Sequence, residues 1–409
     1  MGPKPSHTRT DSKPGRTFIE MFAGVGLVRA GLEQTGWRCV FANDIDQEKA
    51  ETYRANYKND CLVVDDIAQI TPRHIPGTFT LATASFPCQD LSVAGNRAGL
   101  NGSRSGTFWR FTELISALQH EGRNPNLIML ENVPGLLTSH NGKDIRAILV
   151  TLNEQGYLCN LGLIEAKWFV PQSRTRLFIF GVDKRAVGGP EELYEDVWTE
   201  MFWPYRMSAL GESCVHPQNL LEVMTRNSGV EWFPLPALEQ PANDLTPLAS
   251  LMQPDREIPK DWWYSDDKAQ RMLNRMRPEH RRQVLEAVPK RRLSVFPAYW
   301  RTREEGARLE ARFDGLAGCL RTPVGGSSKQ SVILAGYGKL KARLFSPREY
   351  ARLQGVPEHF ELPEDRNAAY MGMGDAVAVP AIAWIAERIL NPIANRLEQA
   401  SRSAALVPA

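Results

Sequence analysis

Short apolar runs alternate with amphipathic stretches through residues 17–182 of the chain. The runs at 17–21, 38–43, 79–84, 127–130, 158–164 and 177–182 are too brief for buried helices and end in turn-forming residues, so they predict strands. Between them, apolar positions at helical spacing predict helices over 28–34, 47–56, 107–120 and 143–155. Strand and helix in regular alternation predict an α/β fold with a doubly wound, largely parallel sheet. From about Gly188 to Gly318 the texture changes to many prolines, scattered tryptophans and no sustained period, which reads as an inserted region. Strand character returns at 331–334, followed by a helix-like 346–354 and an apolar helix around 376–390. The expected organisation is a disordered tail over 1–16, a sheet domain over 17–187, a smaller inserted domain over 188–318, a return to the first domain over 319–392 and a tail over 393–409.

Length and composition leave room for this plan. A chain of 409 residues with 43% hydrophobic and 23% charged content can bury one large core or two ordinary ones. Its net charge of +2 is nearly neutral, so a surface for an acidic partner must come from local clustering. The six cysteines form no Cys-x-x-Cys pair and no metal-ligand spacing, which predicts reduced intracellular thiols and no metal. The first sixteen residues lack the apolar core of a signal peptide, and no apolar run reaches the roughly 18 residues of a membrane helix, so a cytoplasmic chain without membrane attachment is expected.

The candidate chemistry sits where strands end. Pro87-Cys88-Gln89 follows the run 79–84, and Glu131-Asn132-Val133 follows the next run in the same way. In a parallel sheet both would project from carboxyl ends, placing a nucleophile beside an acid. Upstream, Phe22-Ala23-Gly24-Val25-Gly26 closes the first strand with glycines that permit a tight turn and close approach of a ligand. A dinucleotide fingerprint needs a third glycine where Arg29 stands, which argues against a nicotinamide oxidoreductase. Asp44 ends the second strand about 20 residues on, where an acid can accept hydrogen bonds from ribose hydroxyls. Taken singly, Cys88 reads as a small buried hydrophobe, Asp66 as a surface acid at a helix start, Phe86 as a core aromatic, and Arg174 and Arg176 as surface arginines before a strand.

With Gln172-Ser173-Arg174-Thr175-Arg176 these motifs, in this order, resemble the cytosine-5 DNA methyltransferases, over most of 17–182 and 319–392. The resemblance implies a Rossmann-like S-adenosylmethionine-dependent sheet with an inserted target-recognition domain. It implies that Cys88 adds to C6 of a flipped-out cytosine in a specific duplex sequence and that Glu131 acts as an acid at N3. Arg176 would sit at O2 beside that acid, and Arg174 would order the site or a phosphate. Cofactor contacts fall on Phe22, Ala23, Gly24, Gly26, Leu27, Asp44, Ile45, Asp66, Ile67 and Phe86, and on Asp375, Ala376 and Val377, where the family more often has Asn in place of Asp375. The Gly-, Ser- and Arg-rich stretch 89–106 reads as a lid over the flipped base, with Gln89, Ser92, Arg97 and Arg104 as DNA contacts. A basic excess between Lys268 and Arg312 suggests a phosphate footprint at Arg291, Arg292, Arg301 and Arg303. The implied partner is double-stranded DNA, bound by a monomer, with any cognate restriction endonuclease acting separately. Two relatives of this reading differ from it: a tRNA cytosine-5 methyltransferase would carry a Cys-Phe-Thr triplet that is missing here, and an inactive DNA-binding regulator would have lost Cys88, Glu131 or Arg176.

Overall fold

The structure, a computed structural model, describes residues 16–58, 61–87, 106–186, 211–242, 244–303, 306–322 and 329–405. Seven strands form the first sheet: β1 (Thr17–Met21), β2 (Arg38–Asp44), β3 (Leu62–Val64), β4 (Leu81–Ala84), β5 (Leu127–Asn132), β6 (Tyr157–Glu165) and β7 (Thr175–Asp183). Their order is β3-β2-β1-β4-β5-β7-β6, parallel except for β7, which runs antiparallel to both neighbours. Chain direction reverses its lateral progress between β1 and β4, and open sheets of this kind bind ligands at that crevice. The central strands β4 and β5 are buried throughout, as sheets covered on both faces require. Their alternate residues feed two cores, Leu81 and Leu127 on one face and Ala82 and Ile128 on the other.

Helices α1 (Leu27–Glu33), α2 (Gln47–Asn56), α3 (Thr107–His120) and α4 (Lys143–Glu154) fill the predicted places. The C-terminal part supplies α9 (Arg366–Asp375), α10 (Val379–Ile385) and α11 (Asn391–Ala405). Gly31 lets α1 approach α10, since a Cβ there would lie 2.6 Å from the Ile382 Cβ. The expected tail from 393 is instead part of α11, because Ile393, Ala394 and Leu397 are buried in the first core. The span Arg366–Gln399 is long and apolar enough to cross a membrane by composition, yet most of it is buried within the fold, as core helices are. Residues 1–15 of the expected N-terminal tail lie outside the described residues.

Between these parts the chain forms α5 (Gln218–Arg226), α6 (Asp266–Asn274), α7 (Pro278–Ala287) and an antiparallel sheet of β8 (Ser294–Arg303), β9 (Gly306–Ala311), β10 (Ser331–Gly336) and β11 (Lys339–Leu344). The expected boundaries of the insertion shift at both ends. The stretch around 213–238 lies along the outer strand β6: Cys159 N–H donates to Glu231 O, Phe233 N–H to Cys159 O and Leu163 N–H to Val215 O. It thereby covers a sheet edge that would otherwise present unpaired backbone groups. At the other end, β10 and β11 fall inside the expected return, but β10 pairs with β8 and β11 with β10; the chain touches the stretch before β7 at Ala317 and then rejoins the second sheet until Leu344. A third, smaller core beneath the second sheet joins Met272, Leu273 and Val284 to Leu309, Ile333 and Ala342.

The crossing back is fixed by α8 (Pro347–Leu353), whose Ser-Pro-Arg-Glu start is a capping box: Glu349 N–H donates to Ser346 Oγ, and Ser346 N–H returns the bond to Glu349 Oε2. The same carboxylate receives both Nη atoms of Arg343 at 2.6 Å and Gln253 N–H at 2.8 Å, with Arg343 and Glu349 fully buried. Removing one partner of such a pair strands the other charge in the interior. Glu349→Ala is therefore expected to cost about 3–5 kcal/mol of stability, measured by urea unfolding; a loss below about 1 kcal/mol would mean that the pair does not hold the two sheets' junction.

Candidate active site

A cavity of about 610 Å³ opens at the carboxyl ends of β1, β2, β4 and β5. Its first wall is the turn after β1. Phe22, Gly24 and Gly26 all adopt positive φ, at 58°, 56° and 84°. The Cβ direction of Gly24 is open, whereas a Cβ on Gly26 would meet the Tyr57 ring at 2.5 Å, so Gly26 packs against α2 and does not line the cavity. Asp44 binds this turn directly: Oδ2 accepts Gly24 N–H at 2.7 Å and Oδ1 accepts Asp46 N–H at 2.9 Å. Asp46 in turn caps α2 by accepting Lys49 N–H. The acid that the spacing singled out therefore shapes the turn as well as facing the cavity.

Phe22, Ala23, Gly24, Leu27, Asp44, Ile45, Asp66, Ile67, Phe86, Asp375, Ala376 and Val377 all line this one cavity. Asp66 also caps a short turn through Ala68 N–H, so its structural and site-facing readings both apply. Lys49 was not legible in advance, since one lysine on an exposed helix gives no signal. It lies 2.7 Å from Asp375 Oδ2 and joins α2 to the end of α9 across the cavity rim. Asp375 thus carries a charge that Lys49 answers, and the Asp375 and Asp44 carboxylates hold the ammonium above its ordinary pKa despite desolvation.

The catalytic candidates stand on the opposite wall. Arg176 Nε lies 2.9 Å from Glu131 Oε1, and both side chains are largely buried and line the cavity. Asn132 donates through Nδ2 to Phe86 O at 3.2 Å and accepts Val133 N–H at 2.9 Å, so it ties the end of β5 to the chain two residues before Cys88. Cys88 itself, with Gln89, Ser92, Arg97 and Arg104, lies outside the described residues; Pro87, the last described before it, lines the cavity. Arg174 is buried and does not line the cavity. Its Nη1 donates to Leu320 O at 2.7 Å and its Nη2 to Gly374 O at 3.1 Å. Burial and the neighbouring Arg176 charge pull its pKa down. Outside the cavity lining, Arg291, Arg292 and Arg301 are exposed on the second unit, while the Arg303 side chain lies outside the described set. The loop bearing Arg291 and Arg292 is braced by the β10–β11 hairpin: Tyr337 N–H donates to Lys290 O at 2.7 Å and Gly338 N–H to Val288 O at 2.8 Å. Tyr337, exposed at the tip, escaped sequence reasoning.

A doubly wound sheet with one antiparallel strand between β5 and β6, and an acid-rimmed cavity at its switch point, make this an α/β protein of the class that binds small ligands at the carboxyl ends of its strands. The profile of the C-5 cytosine-specific DNA methylases matches residues 16–391. Type II methyltransferase M.HpaII of Haemophilus parainfluenzae is 27% identical over 386 residues, spanning 93% of this chain and 90% of that protein. Type II methyltransferase M.Bsp6I of a Bacillus species is 38% identical over 168 residues, 40% of this chain and 51% of its own length. In fold, the chain is similar to the Entamoeba histolytica methyltransferase EhMeth, with a TM-score of 0.59 at 13% identity over 93% of this chain and 99% of that one. The Dnmt2 methyltransferase of S. pombe superposes with a TM-score of 0.55 at 16% identity, over 92% and 99%. The chain belongs to the C-5 cytosine-specific DNA methylase family and is a DNA (cytosine-5) methyltransferase, whose family uses S-adenosylmethionine as methyl donor.

The Lys49–Asp375 pair is partly exposed, so its coupling should be modest. A double-mutant cycle of Lys49→Met and Asp375→Asn, read as unfolding free energy, should give about 0.2–1 kcal/mol of coupling; strictly additive losses would mean that the two groups do not meet in solution.

Proposed function

We propose that the cavity holds S-adenosylmethionine and the target cytosine together, and that Cys88, Glu131 and Arg176 carry the reaction. The observation that supports this most is the convergence of the Glu131–Arg176 pair, the Asn132 tether to Phe86 and the Asp44-bound glycine turn on a single space. The lining suits the cofactor: carboxylates at Asp44 and Asp66 for hydroxyl and amino donors, apolar surface at Ile45, Ile67 and Phe86 for an adenine ring, and an unobstructed backbone at Gly24. Cytosine C5 is a poor nucleophile by itself. Addition of the Cys88 thiolate to C6 makes C5 electron-rich enough to accept an electrophilic methyl group, the group that S-adenosylmethionine supplies when bound.

During that addition Glu131 transfers a proton to N3, which offsets charge building in the ring. Arg176 holds the Glu131 carboxyl by its Nε and offers its remaining donors to the base O2. A water molecule acting as base then takes the C5 proton, the electrons of that C–H bond expel Cys88 as thiolate, and N3 returns its proton to Glu131, which restores the enzyme. Arg174 acts at one remove, by fixing the backbone at 320 and 374. The second unit, with Arg291, Arg292 and Arg301, serves as the target-recognition domain by clamping phosphates, and the stretch 89–106 contacts the flipped nucleotide. The substrate is duplex DNA, bound by a monomer in the cytoplasm, in a restriction-modification setting like that named for the type II relatives, with any endonuclease acting separately.

Duplex DNA carrying 5-fluorocytosine at the target should trap the enzyme, because fluorine cannot leave as a proton. The adduct should survive denaturing electrophoresis and map by mass spectrometry to the peptide containing Cys88; mapping to any other cysteine would identify a different nucleophile. Cys88→Ser should abolish methyl transfer while retaining cofactor binding. Asp44→Ala should weaken S-adenosylmethionine by about 1.5–3 kcal/mol in calorimetry, and unchanged affinity would remove Asp44 from the cofactor site.

A further inference from the structure

Behind the glycine turn lies a cluster that the methyl-transfer chemistry does not use. Cys39 on β2 and Cys61, just before β3, place their sulfurs 3.7 Å apart. Cys39 is buried and Cys61 is half-buried. Arg29 on α1 reaches into the pair: its Nη1 donates to Cys61 Sγ at 3.3 Å and to Tyr53 Oη at 3.0 Å, and its Nε bonds Glu33 at 2.8 Å. The Tyr53 hydroxyl stands 3.7 Å from Cys39 Sγ. Contact with Cys39 and the charge of Arg29 pull the Cys61 thiol down, against desolvation, while contact with Cys61 and burial push Cys39 up. The two thiols are therefore unlike: one half-buried beside a guanidinium that favours its thiolate form, the other buried and within reach. Low-pKa, accessible cysteines with a second thiol at hand are the ones that peroxides oxidise.

We propose that Cys61 and Cys39 form a peroxide-oxidised disulfide site that lowers the enzyme's affinity for its cofactor. The Cys61 thiolate attacks one oxygen of a hydroperoxide and becomes a sulfenic acid, while the other oxygen leaves and takes up a proton. The Cys39 thiol then attacks the Cys61 sulfur, the S–O bond breaks, and the oxygen departs as water with the Cys39 proton. Two thiols are oxidised and one peroxide is reduced. A disulfide needs its sulfurs at about 2.05 Å, so the contact must tighten, and the tightening acts on β2 and on the entry to β3. These strands end at Asp44 and lead into Asp66. The bond also removes the thiolate that Arg29 holds. Arg29 stacks on the Tyr57 ring at 4.0 Å, and Tyr57 Oη donates to Gly26 O at 2.5 Å, so the disturbance reaches the turn from beneath as well.

The effect on affinity rests on reading the cavity as the S-adenosylmethionine site, whereas the disulfide itself does not. The test uses the full chain carrying Cys88→Ser, so that oxidation of the nucleophile does not obscure the result. After hydrogen peroxide and blocking of remaining thiols, non-reducing peptide mapping should find Cys39 joined to Cys61, reversed by dithiothreitol. Cys39→Ser should stop at a Cys61 sulfenic acid that dimedone traps. In calorimetry, oxidation should weaken S-adenosylmethionine about tenfold, a common size for coupling between distinct sites, and reduction should restore it; with Cys61→Ser, peroxide should leave affinity unchanged. Oxidation of Cys61 no faster than that of Cys159 or Cys214, or a disulfide that leaves affinity intact, would overturn the proposal. Failure of the reduced protein to bind S-adenosylmethionine would refute the cofactor reading instead, and peptide mapping would still decide the disulfide.

Discussion

A guanidinium buried away from water needs partners within the protein, and both Nη groups of Arg174 find theirs on chain that arrives from far away, while its Nε has none among the described residues. The Nη groups donate to the carbonyls of Leu320 and Gly374, from the stretch between β9 and β10 and from the end of α9. Gln172, two residues earlier and also buried, adds a bond from Nε2 to Leu353 O at 2.7 Å and accepts Leu320 N–H at 3.3 Å. Three returning segments are thus fastened to one short stretch before β7. The fastening leaves no slack at Gly374, where a Cβ would lie 2.7 Å from the backbone of Arg321 and Thr322. These bonds act with the Lys49–Asp375 pair and the Gln354 Nε2 donation to Ala376 O to fix the rim formed by Asp375, Ala376 and Val377 over the cavity.

The polar atoms of the cavity are bound to one another before any ligand enters. Asp44 is held by two backbone N–H groups, Glu131 by Arg176, and Asn132 by Phe86 and Val133. Such mutual bonding fixes side chains in place at no cost when the substrate arrives, which is how sites gain from preorganisation. It also divides labour between the two neighbouring arginines. Arg176 meets the acid in the cavity and Arg174 meets the backbone behind it.

The second unit is built to a different rule. Its sheet is antiparallel and rests on a small core, and its last strand is tied to α8 through the buried Arg343–Glu349 pair. The loop with Arg291 and Arg292 stays exposed yet is pinned by the hairpin behind it, so its charges are presented on a braced support. That combination suits phosphate contact, for which position counts more than depth of burial.

How much of this was legible in the sequence varies with the range of the interaction involved. Strand β1 and helices α2 and α3 fall within the predicted bounds, because a buried strand and an amphipathic helix each write their own periodicity into consecutive residues. The cavity-lining glycine turn and Asp44 were legible for a similar reason: a glycine turn after one strand and an acid after the next are local features. Pairing partners were not. That 213–238 covers β6, that β10 and β11 join β8, and that residues beyond 393 form a core helix depend on contacts between segments distant in the chain. Lys49, Arg174 and the Cys39–Cys61 pair belong with these, since a lysine, an arginine or a cysteine looks the same in sequence whether it faces solvent or a partner. The sequence by itself determined the elements and the order of the chemistry along them. Only the tertiary structure decided which charges and sulfurs meet, because those meetings are made by folding distant segments together.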